Sequence, residues 1–438
     1  MNRSRFDSPS NDTFVPILAT AAGLLLIWFS TVFRGSNRWV PLIMAEWLGL
    51  LLLVIVCAGL LGQRLSVHAS EGGWPRWATA ALVASPLWVG VLQMALLPAA
   101  DHHAIWSSAL AGVPVAALFL LALSCREASL TTLLRAWVAV AVAQAVIGIA
   151  QLSELEALQF GAAPLPYSTG TFSNRNHFAN FMVMTIPLVI LELAPQARHG
   201  SHSRRSWVWL CSLFLLVTAI LGSESRTGLV TALLAGSLSA LVVFASSNRK
   251  SMMSRFAVWL VPAFIMIALV AGGMDWLYRF EWDALSASAY ERSENRDATW
   301  QGALAHLPWG SGLGTFANAF AAHQPDGNRF LMDYAHSDFL QLFFEAGVFA
   351  WVLATLTLVL CSSRLIGIVQ LMRSPGTDLT RSTRLSLVAL CGVLAQMIHS
   401  WVDFPTHIPA NAMLGAFLLG VFLREFTPRL PAQAGKQN

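Results

Sequence analysis

Charge is scarce in this sequence. Asp, Glu, Lys and Arg make up only 11% of the 438 residues, against 56% hydrophobic, where an ordinary soluble domain carries roughly 25% charged residues. A chain so poor in charge cannot clothe a water-facing surface, which excludes a soluble globular fold. Cysteine is rare too: Cys57, Cys125, Cys211, Cys361 and Cys391 are the whole complement. None falls in a segment expected outside, and no pair has metal-ligand spacing, so neither a disulfide framework nor a cysteine metal site is expected. The net charge is only +4, and the basic residues lie in short loops. That pattern signals membrane orientation and not nucleic-acid binding.

What the sequence does have is runs of about 20 apolar residues, the length that crosses a hydrocarbon core as a helix. Twelve spans are predicted, at 14–33, 39–61, 77–98, 105–124, 133–152, 178–194, 206–222, 227–246, 256–273, 339–361, 384–402 and 407–424. The first lacks a small-residue cleavage site and is expected to be a retained span, not a signal peptide. The reading is an all-α integral membrane protein, one polytopic domain over 1–438. A sizeable, partly helical outer loop at 274–336 separates spans 9 and 10. Placing both termini in the cytoplasm puts 19 of the 27 Lys and Arg residues in inner segments, as the positive-inside rule requires.

Eight basic residues remain outside: Arg34, Arg38, Arg175, Arg226, Arg279, Arg292, Arg296 and Arg329. Arg175 lies in Thr169-Gly170-Thr171-Phe172-Ser173-Asn174-Arg175-Asn176-His177, leading into span 6, where Asn180 follows. Arg226 lies in Ser225-Arg226-Thr227-Gly228, leading into span 8. His336 lies in Tyr334-Ala335-His336-Ser337-Asp338, leading into span 10. All three spans begin outside, with Asn174 or Asn176, Ser225 and Ser337 available as caps. Helix N-termini carry partial positive charge and free N–H groups. Together with the arginines they predict an anion-binding face at headgroup level, suited to a membrane-borne phosphate or diphosphate. Asp338 is expected to orient His336 and raise its basicity. Asp101-His102-His103 reads as a solvated loop, because adjacent side chains point apart. Glu46 and Glu345 are intramembrane carboxylates expected to be functional or paired, with outer arginines as partners. The 296–304 stretch is predicted to be an amphipathic interfacial helix, and the loop that holds it a lid.

These motifs resemble a known family, the bacterial O-antigen ligases and related polysaccharide polymerases. The Thr169 to Asn176 stretch is similar to its G-T-F-x-N-x-N entry, and Ser225 to Gly228 to its S-R-[GT]-[AG] helix start. Arg296 to Trp300, followed by Pro308-Trp309-Gly310-Ser311-Gly312-Leu313-Gly314-Thr315-Phe316, is similar to its outer loop. Ala335-His336-Ser337 through Glu345-Ala346-Gly347 resembles its His-containing segment, and His399 to Pro409, with Asp403-Phe404-Pro405, a further element. The likeness spans 170–410. It departs at Ser337, where Asn is commoner, and at Arg175, where a small residue or Pro often stands.

The resemblance implies a GT-C-like membrane glycosyltransferase of the bacterial inner membrane, its active site facing the periplasm. The implied donor is a polyprenyl-diphosphate-linked glycan. The acceptor would be lipid A core for a ligase or a growing glycan for a polymerase, with no cofactor, metal or nucleic acid. The family's functional residues fall on Arg226, Arg296 and His336. Arg175, Asn176, His177, Asn180, Tyr334, Asp338 and Arg292 are the expected substrate-binding set. A flippase or transporter is the rival of another class, and would place its polar residues near the bilayer midplane. A non-catalytic scaffold is a third reading.

Overall fold

The computed structural model describes residues 13–68, 73–153, 166–193, 204–244, 282–325, 331–373 and 379–425, and among these residues it contains helices and no strand. The helices are α1 (Phe14–Val32), α2 (Trp39–Leu61), α3 (Gly73–Val83), α4 (Ser85–Leu96), α5 (His102–Ser124), α6 (Glu127–Gln151), α7 (Arg175–Leu193), α8 (Arg204–Gly222) and α9 (Arg226–Phe244). They continue with α10 (Trp282–Ala305), α11 (Phe316–Phe320), α12 (Asp338–Ala346), α13 (Val348–Arg373), α14 (Arg381–Ser400) and α15 (Pro409–Leu423). Among the described residues eight helices are long and apolar enough to cross a membrane, or nine if α3 and α4 form one bent span; α8 and α15 contain shorter apolar stretches. The chain is therefore a polytopic all-α membrane protein. The expected span at 256–273 lies outside the described residues.

Two expected spans are broken. The third divides at Ala84 into α3 and α4, which bend by 65°. The tenth divides at Gly347 into α12 and α13. The cause lies across the chain, in the 308–314 segment. Gly347 has φ +54°, and a Cβ there would meet the Pro308 carbonyl and the Gly310 nitrogen. Only glycine combines that backbone with so close an approach. Gly347→Ala is expected to destabilise the protein by about 1–3 kcal/mol, read as a lower unfolding temperature in detergent.

The glycine-rich segment is docked, not loose. Glu345 accepts hydrogen bonds from the Gly314 and Phe316 N–H groups at 2.9 and 3.3 Å. Gln93 of α4 donates to the Trp309 and Glu345 carbonyls, both at 2.8 Å, and accepts from Leu313 N–H at 3.0 Å. Glu345 is thus committed to backbone amides and to the Gln341 side chain, which corrects the expectation that it pairs with an outer arginine. The 296–304 stretch is helical as expected, within α10. That helix packs on α12, with Trp300 5.3 Å from Phe343 and Gly302 against Phe344.

α7 is the central post. Its apolar window is 83% buried, against 11% for α13 at the periphery. It packs on α6, α8, α9, α14 and α15. Gly228 at the head of α9 lets the Ala179 methyl approach, as small residues do where membrane helices cross closely. Near the far end of α7, Glu192 pairs with Arg381 at the start of α14 and lies 3.9 Å from Arg135 of α6. At that same end of the bundle, Arg364 and Arg424 donate to the carbonyls of Phe422 and Ala122. The head of α7 and the tail of α14 thus lie together at the opposite end.

Candidate active site

The sequence holds the head of α7 through the turn before it. Gln151 of α6 accepts from the N–H groups of Thr169 and Gly170, both at 2.9 Å, and Gln144 accepts from Thr171 N–H at 2.9 Å. Thr171 Oγ1 donates to the Thr31 carbonyl of α1 at 2.7 Å. The Thr-Gly-Thr motif is therefore a structural anchor that aims the next six residues. The three expected caps are in place. Asn174 Oδ1 accepts from Asn176 N–H at 2.7 Å, Ser225 Oγ from Gly228 N–H at 3.1 Å, and Ser337 Oγ from Leu340 N–H at 3.5 Å.

The centre of the site is Asp403, in the turn between α14 and α15. Asn176 Nδ2 donates to its Oδ2 at 2.8 Å. His336 Nδ1 lies 3.6 Å and His177 Nε2 3.8 Å from its Oδ1. Its carbonyl accepts from Asp338 N–H at 3.2 Å. Burial works against the Asp403 carboxylate, but the two imidazoles outweigh it and hold the acid well below the usual carboxylate range. Asp403 is thus ionised at neutral pH, a fixed negative charge between two histidines.

Asp338 has a different partner from the one expected. Its Oδ1 faces His407 Nδ1 at 2.6 Å, and its Oδ2 accepts from Thr406 N–H at 3.0 Å. The carboxylate beside His336 is Asp403, not Asp338. The reason is helix geometry: Asp338 opens α12 and turns toward the 405–407 turn, whereas His336 precedes the cap. His336 also sits at φ +51°, a left-handed conformation that costs energy for a residue with a Cβ. Its side chain is 44% exposed, whereas Asp403 is buried. Phe404 packs the cluster together. Tyr334 stacks on it at 4.1 Å between centroids, and His177 and His336 meet its edge or face at 4.6 and 5.2 Å.

The remaining expected residues fall as follows. Arg175 pairs with Glu224 at 3.2 Å and lies over the Tyr167 ring at 4.7 Å. This ties the α8–α9 turn, and with it Arg226 as the first residue of α9, to the head of α7. Asn180 is fully buried one turn below His177, and among the described residues neither of its amide atoms has a hydrogen-bond partner. Arg296 lies partly buried on α10, one turn before Trp300. Arg292 is on the same helix, with its side chain outside the described residues. Asp101 caps α5 by accepting from Ala104 N–H at 3.0 Å, and His102 bonds the Leu97 carbonyl. Among the described residues no group of three His, Cys, Asp or Glu is placed to hold a metal ion. The sequence motif at 399–409 contains both Asp403 and His407 but carries no signal of the part either plays.

The fold and this cluster define a class: a polytopic helical membrane protein with histidines, a buried carboxylate and arginine-headed helices gathered at one end of its bundle. Within it, residues 211–355 match the family model described as O-antigen ligase. The matched segment is a third of the chain and includes Arg226, Arg296, the glycine-rich loop and His336; Asn176 and Asp403 lie outside it. No curated protein matches the chain.

Proposed function

We propose that the protein is a membrane glycosyltransferase of the O-antigen ligase type. It moves a glycan from a polyprenyl diphosphate to an acceptor hydroxyl, on lipid A core in preference to a growing polysaccharide. On this reading the chain crosses the bacterial inner membrane twelve times, with both termini cytoplasmic and the Asp403 cluster facing the periplasm. The charge pattern of the loops supports that orientation.

The observation that carries the reading is the pairing of an exposed imidazole, His336, with a buried ionised carboxylate, Asp403, inside and beside the matched segment. Asp403 holds the His336 ring by its Nδ1 side and stabilises the imidazolium that forms, leaving Nε2 for substrate. The acceptor hydroxyl gives its proton to His336 as its oxygen attacks the anomeric carbon. The bond from that carbon to the diphosphate oxygen breaks, and the polyprenyl diphosphate leaves with the electron pair. Arg226 and Arg296 neutralise the charge gathering on the leaving group, as fixed guanidinium donors do without reorganising.

The test uses membrane vesicles containing the full chain and a radiolabelled polyprenyl-linked glycan, offered with either lipid A core or a glycan acceptor. Transfer to lipid A core is expected, and His336→Ala is expected to abolish it while the protein still inserts. Undiminished transfer by His336→Ala would remove the proposal. Preference for the glycan acceptor would make the protein a polymerase. Export of unlinked lipid-borne glycan without transfer would favour the flippase reading.

A further inference from the structure

His336 and Arg296 lie on different pieces of chain, joined by the 306–335 segment, part of which lies outside the described residues. A second connection runs through side chains. Glu345 gathers the glycine-rich segment that follows α10, accepting from Gly314 and Phe316 N–H. One helical turn earlier on α12, Gln341 donates Nε2–H to Glu345 Oε1 at 3.2 Å. The other end of the same amide, Gln341 Oε1, accepts from Ala335 N–H at 3.1 Å. Ala335 is the residue immediately before His336. Glu345, Gln341 and Ala335 are all buried, so water does not compete for these bonds.

We propose that Gln341 and Glu345 form a buried strut that sets the position of His336 relative to the arm carrying Arg296, and are positioning residues for the transfer. The claim rests on the reading of His336 as the proton acceptor. The physical case is the strain at His336. A residue with a Cβ stays at φ +51° only when its neighbours over-determine it. On one side Ser337 caps α12 and bonds Leu340 N–H. On the other side the amide of Ala335 is pinned by Gln341. Gln341 is suited to this because its amide donates at one end and accepts at the other. Removing it leaves a buried N–H and a buried carboxylate lone pair without partners, and frees the His336 backbone to relax toward a right-handed conformation. A shift on the order of 1 Å at a reacting group costs about 100-fold in rate.

Gln341→Leu keeps the volume and removes both bonds. It is expected to lower the kcat of transfer by about 10- to 100-fold while leaving the donor KM within about twofold, since Arg226 and Arg296 remain. Gln341→Glu guards against a simple folding failure. A glutamate there restores both bonds only while it and Glu345 share one proton. The titratable groups facing this pair are His407 in the 405–407 turn and Tyr334 in the 331–337 segment, with His306 and His323 against neighbouring Phe344. None of these bridges positions 341 and 345. The Gln341→Glu variant should therefore approach the wild-type rate at the acidic end of the assay range and fall to the Gln341→Leu rate at the alkaline end, a limb that wild type lacks. Wild-type kcat in Gln341→Leu, or a rise in donor KM that accounts for the whole defect, would overturn the strut. So would a Gln341→Glu pH profile superimposing on wild type. If His336→Ala retains transfer, it is the underlying reading that fails, and the two failures are told apart by that control.

Discussion

Asp403→Asn is expected to lower glycan transfer by about 10²- to 10⁴-fold, with donor affinity almost unchanged. The asparagine keeps the shape of the side chain and removes its charge. His336 then loses the carboxylate 3.6 Å from Nδ1, and the buried His177 loses the carboxylate 3.8 Å from its Nε2. An amide also presents a donor as well as an acceptor, so one of its ends opposes either Asn176 Nδ2 or an imidazole N–H. The base is then held in the wrong tautomer or the wrong orientation. Steady-state transfer in vesicles, with donor binding measured separately, checks this. A variant working at the wild-type rate would show that the carboxylate only packs the turn.

Arg226→Ala is expected to reduce transfer by roughly 10²- to 10³-fold, and Arg226→Lys to recover little of it. The lysine keeps the charge but not the planar fork that meets two phosphate oxygens at once. Arg226 is the first residue of α9, capped by Ser225 and held beside the head of α7 by the Arg175–Glu224 pair. Its charge therefore adds to that of a helix start fixed in place. Near-normal transfer by the lysine variant would mean the site senses charge alone. Breaking the Arg175–Glu224 pair should cost less, because that pair is partly exposed and works through solvent-screened attraction.

Much of the fold was legible in the residues. The apolar runs at 14–33 and 39–61 became α1 and α2 within a residue, and Asn174, Ser225 and Ser337 cap as their side-chain chemistry dictates. The breaks at Ala84 and Gly347 were not legible. Hydropathy averages over a turn or two, whereas the Gly347 break is imposed by a backbone segment some 40 residues earlier, pressed against α12. The partner of His336 was missed for a related reason. Local spacing favoured Asp338, two residues away, but the cap at Ser337 turns Asp338 toward His407. Asp403 arrives from 67 residues further along the chain, brought in by the antiparallel packing of α14 on α7. Periodicity reports which face of a helix is apolar; it does not report which two helix ends meet.

The unequal burial of α7 and α13 bears on how the protein meets its lipid surroundings. A bilayer thicker or thinner than the apolar length of a helix makes that helix tilt. α13 takes up such a mismatch readily, since protein covers little of it. α7 is gripped on all sides and cannot lean independently of its neighbours. Asn176 and His177 at its tip therefore hold their height and spacing when the bilayer thins or swells, while the outer helices adjust around them.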